Sequence, residues 1–250
     1  MKYIAIIPAR YQSTRFPGKP LATLGNKPII QHVFEKALEK IDNVWIATDD
    51  ERIANTVYQF GGKVVMTNPN HQSGTDRCAE AASIIKKGID FDVVINIQGD
   101  EPFVRQEQIN SLMECFNDNE TDIATLIKKI DSPEVLFNPN RPKVIIDKNQ
   151  NALLFSRSTI PYIRGKEKDE WLGSHEFYSH LGMYAYRVDV LKEITKLQPS
   201  SLELAESLEQ LRWLENGYRI KTAITEFESI GIDTPEDLEA AKEYIKILNG

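Results

Sequence analysis

Val93-Val-Ile-Asn-Ile97, followed by Gln98-Gly-Asp-Glu-Pro102, is the stretch whose reading decides the fold class. Its first five residues are nearly all apolar and mostly β-branched, the pattern of a strand covered on both faces. Such a strand belongs in the middle of a parallel sheet. The polar residues after it, ending on a proline, mark the strand's carboxyl end as a turn.

Working outward, short β-rich runs alternate with amphipathic ones. Strands are expected at Ile4–Ala9, Val44–Thr48, Lys63–Thr67 and Val93–Gln98, with helices at Pro28–Lys40, Asp50–Phe60 and Thr75–Lys87. Strand, helix, strand in series implies right-handed crossovers and a mostly parallel sheet. Thr48-Asp49-Asp50 ends a strand and offers helix caps, and Gly61-Gly62 stops the helix that follows. The second half is less regular. Asp122–Ile130, Lys143–Asp147, Ala152–Ser156 and His180–Tyr186 read as strands without long helices between them, and Arg164–Glu176 as a polar loop. A helix over Leu202–Asn216, a strand over Ile220–Thr225 and a helix over Pro235–Leu248 restore α/β character. The expectation is an α/β fold, Rossmann-like, with a mostly parallel central sheet and an antiparallel elaboration in the second half. One domain spanning 1–250 describes it most economically.

Composition narrows the function classes. At 250 residues, 41% hydrophobic and 27% charged, the chain can bury a core and remain soluble. A net charge of -7 argues against binding nucleic acid through its phosphates. The strand at Tyr3–Ile7 is too short for a signal peptide's apolar region, and no run approaches a membrane span of about 20 residues. A cytoplasmic protein is expected. Cys78 and Cys115 lie in helical patterns outside any metal or redox spacing, and read as half-buried thiols.

In open parallel sheets ligands bind beyond the carboxyl ends of the strands. The first such loop, Pro8-Ala-Arg-Tyr-Gln-Ser-Thr-Arg-Phe-Pro-Gly-Lys-Pro20, carries Arg10, Arg15 and Lys19 together with two hydroxyls. Arginine forks, a lysine point charge and loop amides together make a cradle for a triphosphate. The alternative is a surface loop with scattered basic residues. It is neither a Walker loop nor a dinucleotide fingerprint, because the required glycines and the Gly-Lys-Ser/Thr ending are absent. Asp100, at the end of the central strand, suits Mg²⁺ bridging phosphate oxygens, or a helix cap. Asp233 in Asp-Thr-Pro-Glu-Asp has the same two readings. Ser73 and Arg77 precede and open a helix whose N-terminus favours an anion, although Ser73 can equally be only a cap. Gln98 can read base, ribose or sugar hydroxyls.

The loop resembles the signature of nucleotidyltransferases that make activated sugars, and specifically the CMP-Kdo synthetase family (3-deoxy-manno-octulosonate cytidylyltransferases). Related CMP-sialic acid synthetases share the opening but usually lack the Arg-x-Pro-Gly-Lys-Pro form of Arg15–Pro20. His71-Gln-Ser-Gly-Thr-Asp-Arg77, Asn96-Ile-Gln-Gly-Asp-Glu-Pro102, Phe137-Asn-Pro-Asn140, Phe155-Ser-Arg157, His180-Leu-Gly-Met-Tyr184, Leu208-Glu-Gln-Leu-Arg212 and Ile232-Asp-Thr-Pro-Glu-Asp-Leu238 resemble further blocks, in that family's order.

The resemblance implies transfer of CMP from CTP to Kdo, releasing pyrophosphate, for lipopolysaccharide synthesis. Another acid sugar, such as amino-Kdo or sialic acid, is the alternative. Arg10, Arg15 and Lys19 then neutralise the triphosphate, and Asp100 and Asp233 hold Mg²⁺. Arg10, Ser13, Lys19, Ser73, Arg77 and Gln98 line the nucleotide. Arg15, Gln98, Arg157, His180, Tyr184, Glu209 and Gln210 are the candidates for the sugar. No histidine is expected as a general base, since none is paired with a carboxylate in the sequence. The family further implies a homodimer, a nucleotide-binding part over about 1–120, a sugar-binding and dimerisation part over about 121–230, and a closing C-terminal helix.

Overall fold

A computed structural model describes residues 1–228 and 231–249; residues 229 and 230, where the expected second part ends, lie outside that description. The chain packs as two compact units, one made of 1–109 with 229–250, the other of 110–228.

In the first unit, β1 (Tyr3–Ala9) is followed by a two-strand hairpin, β2 (Thr23–Leu24) and β3 (Lys27–Pro28), then α1 (Ile29–Leu38), β4 (Val44–Thr48), α2 (Glu51–Gln59), β5 (Lys63–Met66), α3 (Gly74–Ile85) and β6 (Val93–Asn96). β1 pairs in parallel with β6 on one side and β4 on the other, and β4 pairs in parallel with β5. Ile4–Ile7, Val44, Ile46 and Val93–Ile95 are buried, as strands with both faces covered require. α1 supplies cover through Ile29, Ile30, Val33, Phe34 and Ala37, a helical stripe. Asp50 caps α2 through the Arg52 amide, and Ser73 and Asp76 form a capping box for α3. Both caps follow strand ends, so the helices start at the sheet's carboxyl edge. Cys78 and Cys115 are more buried than the sequence implied, and burial pushes the Cys115 thiol up to about 11.

α4 (Gln106–Cys115) leads into the second unit, which comprises β7 (Ile123–Lys129), α5 (Pro133–Phe137), β8 (Lys143–Ile146), β9 (Ala152–Ser156), α6 (Trp171–Ser174), β10 (Tyr178–Arg187), α7 (Val188–Ile194), α8 (Ser201–Glu206), α9 (Gln210–Glu215) and β11 (Ile220–Ile224). β10 runs antiparallel to β7 and β8, β8 antiparallel to β9, and β11 parallel to β7. The antiparallel elaboration therefore stands where it was expected. The helix expected over Leu202–Asn216 is instead two, α8 and α9, because Ser207 adopts φ 51° between them. Arg157 holds the break: its Nε donates to the Glu206 carbonyl at 2.6 Å and a terminal nitrogen to the Ser207 carbonyl at 3.3 Å. The polar stretch expected as a loop contains α6, since Trp171 is buried against Ile130, Leu136 and Phe177. One large apolar side chain suffices to dock an otherwise exposed turn.

The chain then returns to the first unit as α10 (Pro235–Asn249). The Ile232 amide donates to the Asp100 carbonyl at 2.9 Å, which brings the segment before α10 onto the loop after β6. That loop lies directly on the end of β1: a Cβ at Gly99 would stand 2.8 Å from the Pro8 carbonyl oxygen. A methyl group there has no room, because the atom it would meet is backbone of β1. Gly99→Ala is expected to cost about 1–3 kcal/mol in urea unfolding. Gly173→Ala, where an added Cβ meets nothing within 4 Å, should stay within about 0.5 kcal/mol of the parent.

Candidate active site

The loops beyond β1, β5 and β6 and the segment before α10 enclose a cleft of about 270 Å³ at the carboxyl edge of the first unit's sheet. Arg10, Ser13, Arg15, Lys19, Ser73, Arg77, Gln98, Asp100 and Asp233 all line it. Thr14, His71 and Gln72 line it as well, unassigned in the sequence reading although His71 and Gln72 stand in one of the quoted blocks.

Lys19 occupies the centre. The preceding Gly18 takes φ 73°, its amide donates to the Tyr11 carbonyl at 2.9 Å, and the chain turns into a short 3-10 helix, Lys19–Leu21. The lysine Nζ then lies 2.5 Å from Asp100 Oδ2 and 3.0 Å from Asp233 Oδ1. Arg15 reaches the other Asp233 oxygen at 3.1 Å. The Lys19 side chain is only 13% exposed, against 64% for Arg15, so solvent screens the lysine's charge far less. Asp100 and Asp233 thus direct hard oxygen donors at one point already filled by a cation.

The two readings of Asp233 separate here. Thr234 caps α10: its Oγ1 accepts from the Asp237 amide at 3.2 Å, while the Asp237 carboxylate accepts from the amides of Asp233 and Thr234, each at 2.9 Å. Those bonds, led by that from Asp233, hold the Asp237 carboxyl below its ordinary range. Asp233's own side chain is left to Lys19 and Arg15. Asp100, likewise, binds Lys19 through its side chain.

The wall formed by α3 is prearranged. Ser73 both caps the helix and faces the cleft. Arg77 is 4% exposed, with one guanidinium nitrogen 2.8 Å from Asp49 and donating to Thr67 Oγ1 at 2.6 Å. His71 Nε2 lies 2.5 Å from Glu80 Oε2, which also accepts from the Asn68 amide at 2.8 Å. Burial pushes the Glu80 carboxyl up, but these hydrogen bonds outweigh it and leave the group below its usual range. The pairing fastens the loop after β5 to α3, and it brings together residues nine apart that the sequence did not link. The cleft thus gathers four cations, several hydroxyls and the N-terminus of α3, with two carboxylates that converge on Lys19, a set able to receive an anionic ligand.

Arg157, His180, Tyr184, Glu209 and Gln210 lie in the second unit. Besides its bonds to Glu206 and Ser207, the Arg157 guanidinium donates to the Pro139 carbonyl at 3.1 Å, so it secures the start of α9, where Glu209 and Gln210 stand. β10 bulges between Leu181 and Tyr184, and Thr125 Oγ1 staples the bulge by donating to the Met183 carbonyl at 2.9 Å, with that of Leu181 at 3.2 Å. His180 Nε2 lies 3.0 Å from the same hydroxyl. The hydroxyl's single proton goes to the carbonyls, so Nε2 carries the imidazole proton. The His180 ring packs against Phe155 and Tyr184, with centroids 5.1 and 5.3 Å away. Burial lowers its pKa to about 3 and keeps it neutral. Burial and, next, the Glu209 charge raise the Tyr184 phenol well above its ordinary value. Gln210 Nε2 is buried without a hydrogen-bond partner among the described residues.

Comparison with known proteins agrees with this chemistry. The cytidylyltransferase family profile matches residues 4–224. The chain is 61% identical to the 3-deoxy-manno-octulosonate cytidylyltransferase of Parabacteroides distasonis over 249 residues, 98% of each chain. It is 59% identical to that of Bacteroides thetaiotaomicron, over 98% of this chain and 99% of the relative. Among solved structures, CMP:2-keto-3-deoxy-manno-octonic acid synthetase complexed with CTP superposes with a TM-score of 0.91 at 41% identity, covering 99% of this chain and 100% of the other.

Two outcomes follow from the geometry. Asp233→Asn should leave unfolding free energy within about 0.5 kcal/mol, whereas Thr234→Ala should lower it by about 1 kcal/mol, measured by urea unfolding. His180 titrates near 6.5 when unfolded and at about 3 when folded, so between those values the unfolded state binds more protons. Its contribution is therefore whole above pH 6.5 and lost as pH falls toward 3, by at most about 1.4 kcal/mol per unit. The stability difference between the parent and His180→Gln, taken at pH 7, 5.5 and 4.5, should shrink accordingly.

Proposed function

The chain belongs to the 3-deoxy-manno-octulosonate cytidylyltransferase family, and from that premise we propose that it transfers CMP from CTP to 3-deoxy-manno-octulosonate (Kdo), releasing pyrophosphate. The observation that carries the reading is the convergence of Lys19, Asp100 and Asp233 inside a cleft walled by Arg10, Arg15 and Arg77. The sugar's anomeric hydroxyl attacks the α-phosphorus. A new P–O bond forms, the bond to the β-phosphate's bridging oxygen breaks, the hydroxyl loses its proton, and pyrophosphate leaves with the electron pair. Such transfers need positioning and charge neutralisation more than covalent participation by the protein.

Arg10, Arg15 and Lys19 neutralise the triphosphate and the departing pyrophosphate. Arg77, fixed by Asp49 and Thr67, gives the nucleotide side a cation that does not have to be ordered on binding. Mg²⁺ fits the donor set: two carboxylates meet at one point, and this ion takes one or two carboxylates plus substrate phosphates. Asp100 and Asp233 would hold such an ion. When bound, the ion withdraws charge from the phosphoryl oxygens. Tyr184, Gln210 and Glu209 provide hydrogen-bonding groups for sugar hydroxyls, Arg157 supports the latter two, and neutral His180 buttresses Tyr184. A homodimer and a place in lipopolysaccharide synthesis belong to the same reading.

Pyrophosphate release should require both CTP and Kdo, and should be Mg²⁺-dependent. Turnover with sialic acid or amino-Kdo equal to that with Kdo would sink the sugar assignment. Asp100→Asn and Asp233→Asn should each lower turnover about a hundredfold or more, and the double variant should be little worse than either single. Multiplicative losses across a Mg²⁺ titration would mean separate roles and no shared ion.

A further inference from the structure

We propose that Tyr11 and Arg52, which do not line the catalytic cleft, are positioning residues that brace Lys19 for the reaction. The inference rests on the reading that Lys19 meets the triphosphate.

The loop beyond β1 is polar, and its internal bonds are few. The Gly18 amide donates to the Tyr11 carbonyl at 2.9 Å, the Lys19 amide to the Phe16 carbonyl at 3.2 Å, and the Phe16 amide to Ser13 Oγ at 3.4 Å. These bonds close the loop on itself; its outward ties are the buried Pro20 and the Lys19 ammonium's own bonds to Asp100 and Asp233. A lysine whose ammonium must stand within hydrogen-bond reach of two separate carboxylates needs a firmer mount, because misplacement by about 1 Å can cost about a hundredfold in rate.

The Tyr11 ring supplies the link. The Arg52 guanidinium carbon lies 3.3 Å from the ring centroid, well inside the range at which a cation is held over an aromatic face. Arg52 is itself fixed: its Nε donates to Asp50 Oδ1 at 2.9 Å and a terminal nitrogen to Oδ2 at 2.6 Å, a two-point fork. Asp50 is fixed in turn, since Oδ1 also accepts from the Arg52 amide as the cap of α2, and its own amide donates to Thr48 Oγ1 at 3.2 Å. Thr48 is the last residue of β4. At the other end, a Cβ at position 18 would lie 3.1 Å from Cε2, Cζ and Oη of Tyr11. Only glycine permits that approach together with φ 73°, and Lys19 is the next residue. An uninterrupted series of contacts thus runs from the sheet edge through Asp50, Arg52, Tyr11 and Gly18 to the lysine. An exposed Asp–Arg pair alone would carry little consequence. Here the fork sets the orientation of the guanidinium, and through the ring it reaches the catalytic loop.

The test is steady-state kinetics of Arg52→Ala, Tyr11→Leu and Tyr11→Phe, each alone and combined with Lys19→Ala, with melting temperatures alongside. Arg52→Ala and Tyr11→Leu should lower kcat by about tenfold or more, while KM for CTP changes by less than about threefold. Tyr11→Phe, which keeps the ring, should retain most of the parent's kcat. Added to Lys19→Ala, neither Arg52→Ala nor Tyr11→Leu should lower the rate further, because the residue they brace is gone. A parent-like kcat in Arg52→Ala, or losses that multiply with that of Lys19→Ala, overturns the brace. If the parent fails to release pyrophosphate from CTP and Kdo, or Lys19→Ala is fully active, the reading of Lys19 falls and the brace with it. An active parent, an impaired Lys19→Ala and an unaffected Arg52→Ala would remove the brace alone.

Discussion

The ammonium of Lys19, held between the carboxylates of Asp100 and Asp233, is the point at which three separate parts of the first unit's chain meet. Its partners lie 81 and 214 residues away in sequence. To bring them to one point, the loop after β1, the loop after β6 and the segment before α10 must all arrive at the same edge of the sheet. Parallel pairing of β1 with β6 places two of these ends side by side. The bond from the Ile232 amide to the Asp100 carbonyl brings the third. The lack of room at Gly99 is a consequence of the same convergence. Two carboxylates directed at one place repel unless a cation stands between them. The lysine satisfies that requirement in the free protein. On the proposed reading, a triphosphate entering the cleft would compete with these carboxylates for the ammonium.

The first unit was legible because its strands obey one simple rule. Runs such as Val93–Ile97 are buried on both faces, so apolar continuity names them, and the capping residues behind them name the helices. Nine expected residues share one cleft for the same reason: residues at the carboxyl ends of parallel strands are neighbours whatever their separation in sequence. Asp233 shows where this reading stops. Asp233-Thr234-Pro235-Glu236-Asp237 contains two adjacent candidates for the cap, and only the position of Asp237 selects Thr234 and releases the aspartate. The pairs Arg77–Asp49 and His71–Glu80 were equally hidden, since each depends on the angle at which α3 meets the strands.

The second unit resisted the sequence where single residues override a pattern. A helical period runs through Leu202–Asn216, yet Ser207 in the left-handed region divides it, and the Arg157 guanidinium offers the freed Glu206 and Ser207 carbonyls other partners. Arg164–Glu176 is polar enough to read as a loop, yet Trp171, buried with Leu172 packed alongside, docks α6. In β10, His180–Tyr186 read as a plain strand, but the strand carries a bulge completed by Thr125 from β7, which no local reading supplies.

The two candidate sites manage polarity differently, and this bears on what each can bind. In the first, Lys19, Arg15 and Arg77 all stand against acidic partners, so charge is kept compensated until a more strongly charged ligand competes for it. In the second, His180 is kept neutral by burial, the Tyr184 phenol is held protonated, and the Gln210 amide lacks a partner among the described residues. Neutral donors and acceptors discriminate by the geometry of hydroxyl groups, because each one left unpaired in a buried site costs about 1–3 kcal/mol. Compensated charge suits a triphosphate, whose recognition is dominated by its charge. Unpaired neutral groups suit a polyol, whose recognition depends on the direction of each hydroxyl. On the proposed reading, the first unit's compensated cations would meet the triphosphate, and the second unit's neutral groups would meet hydroxyls of the sugar.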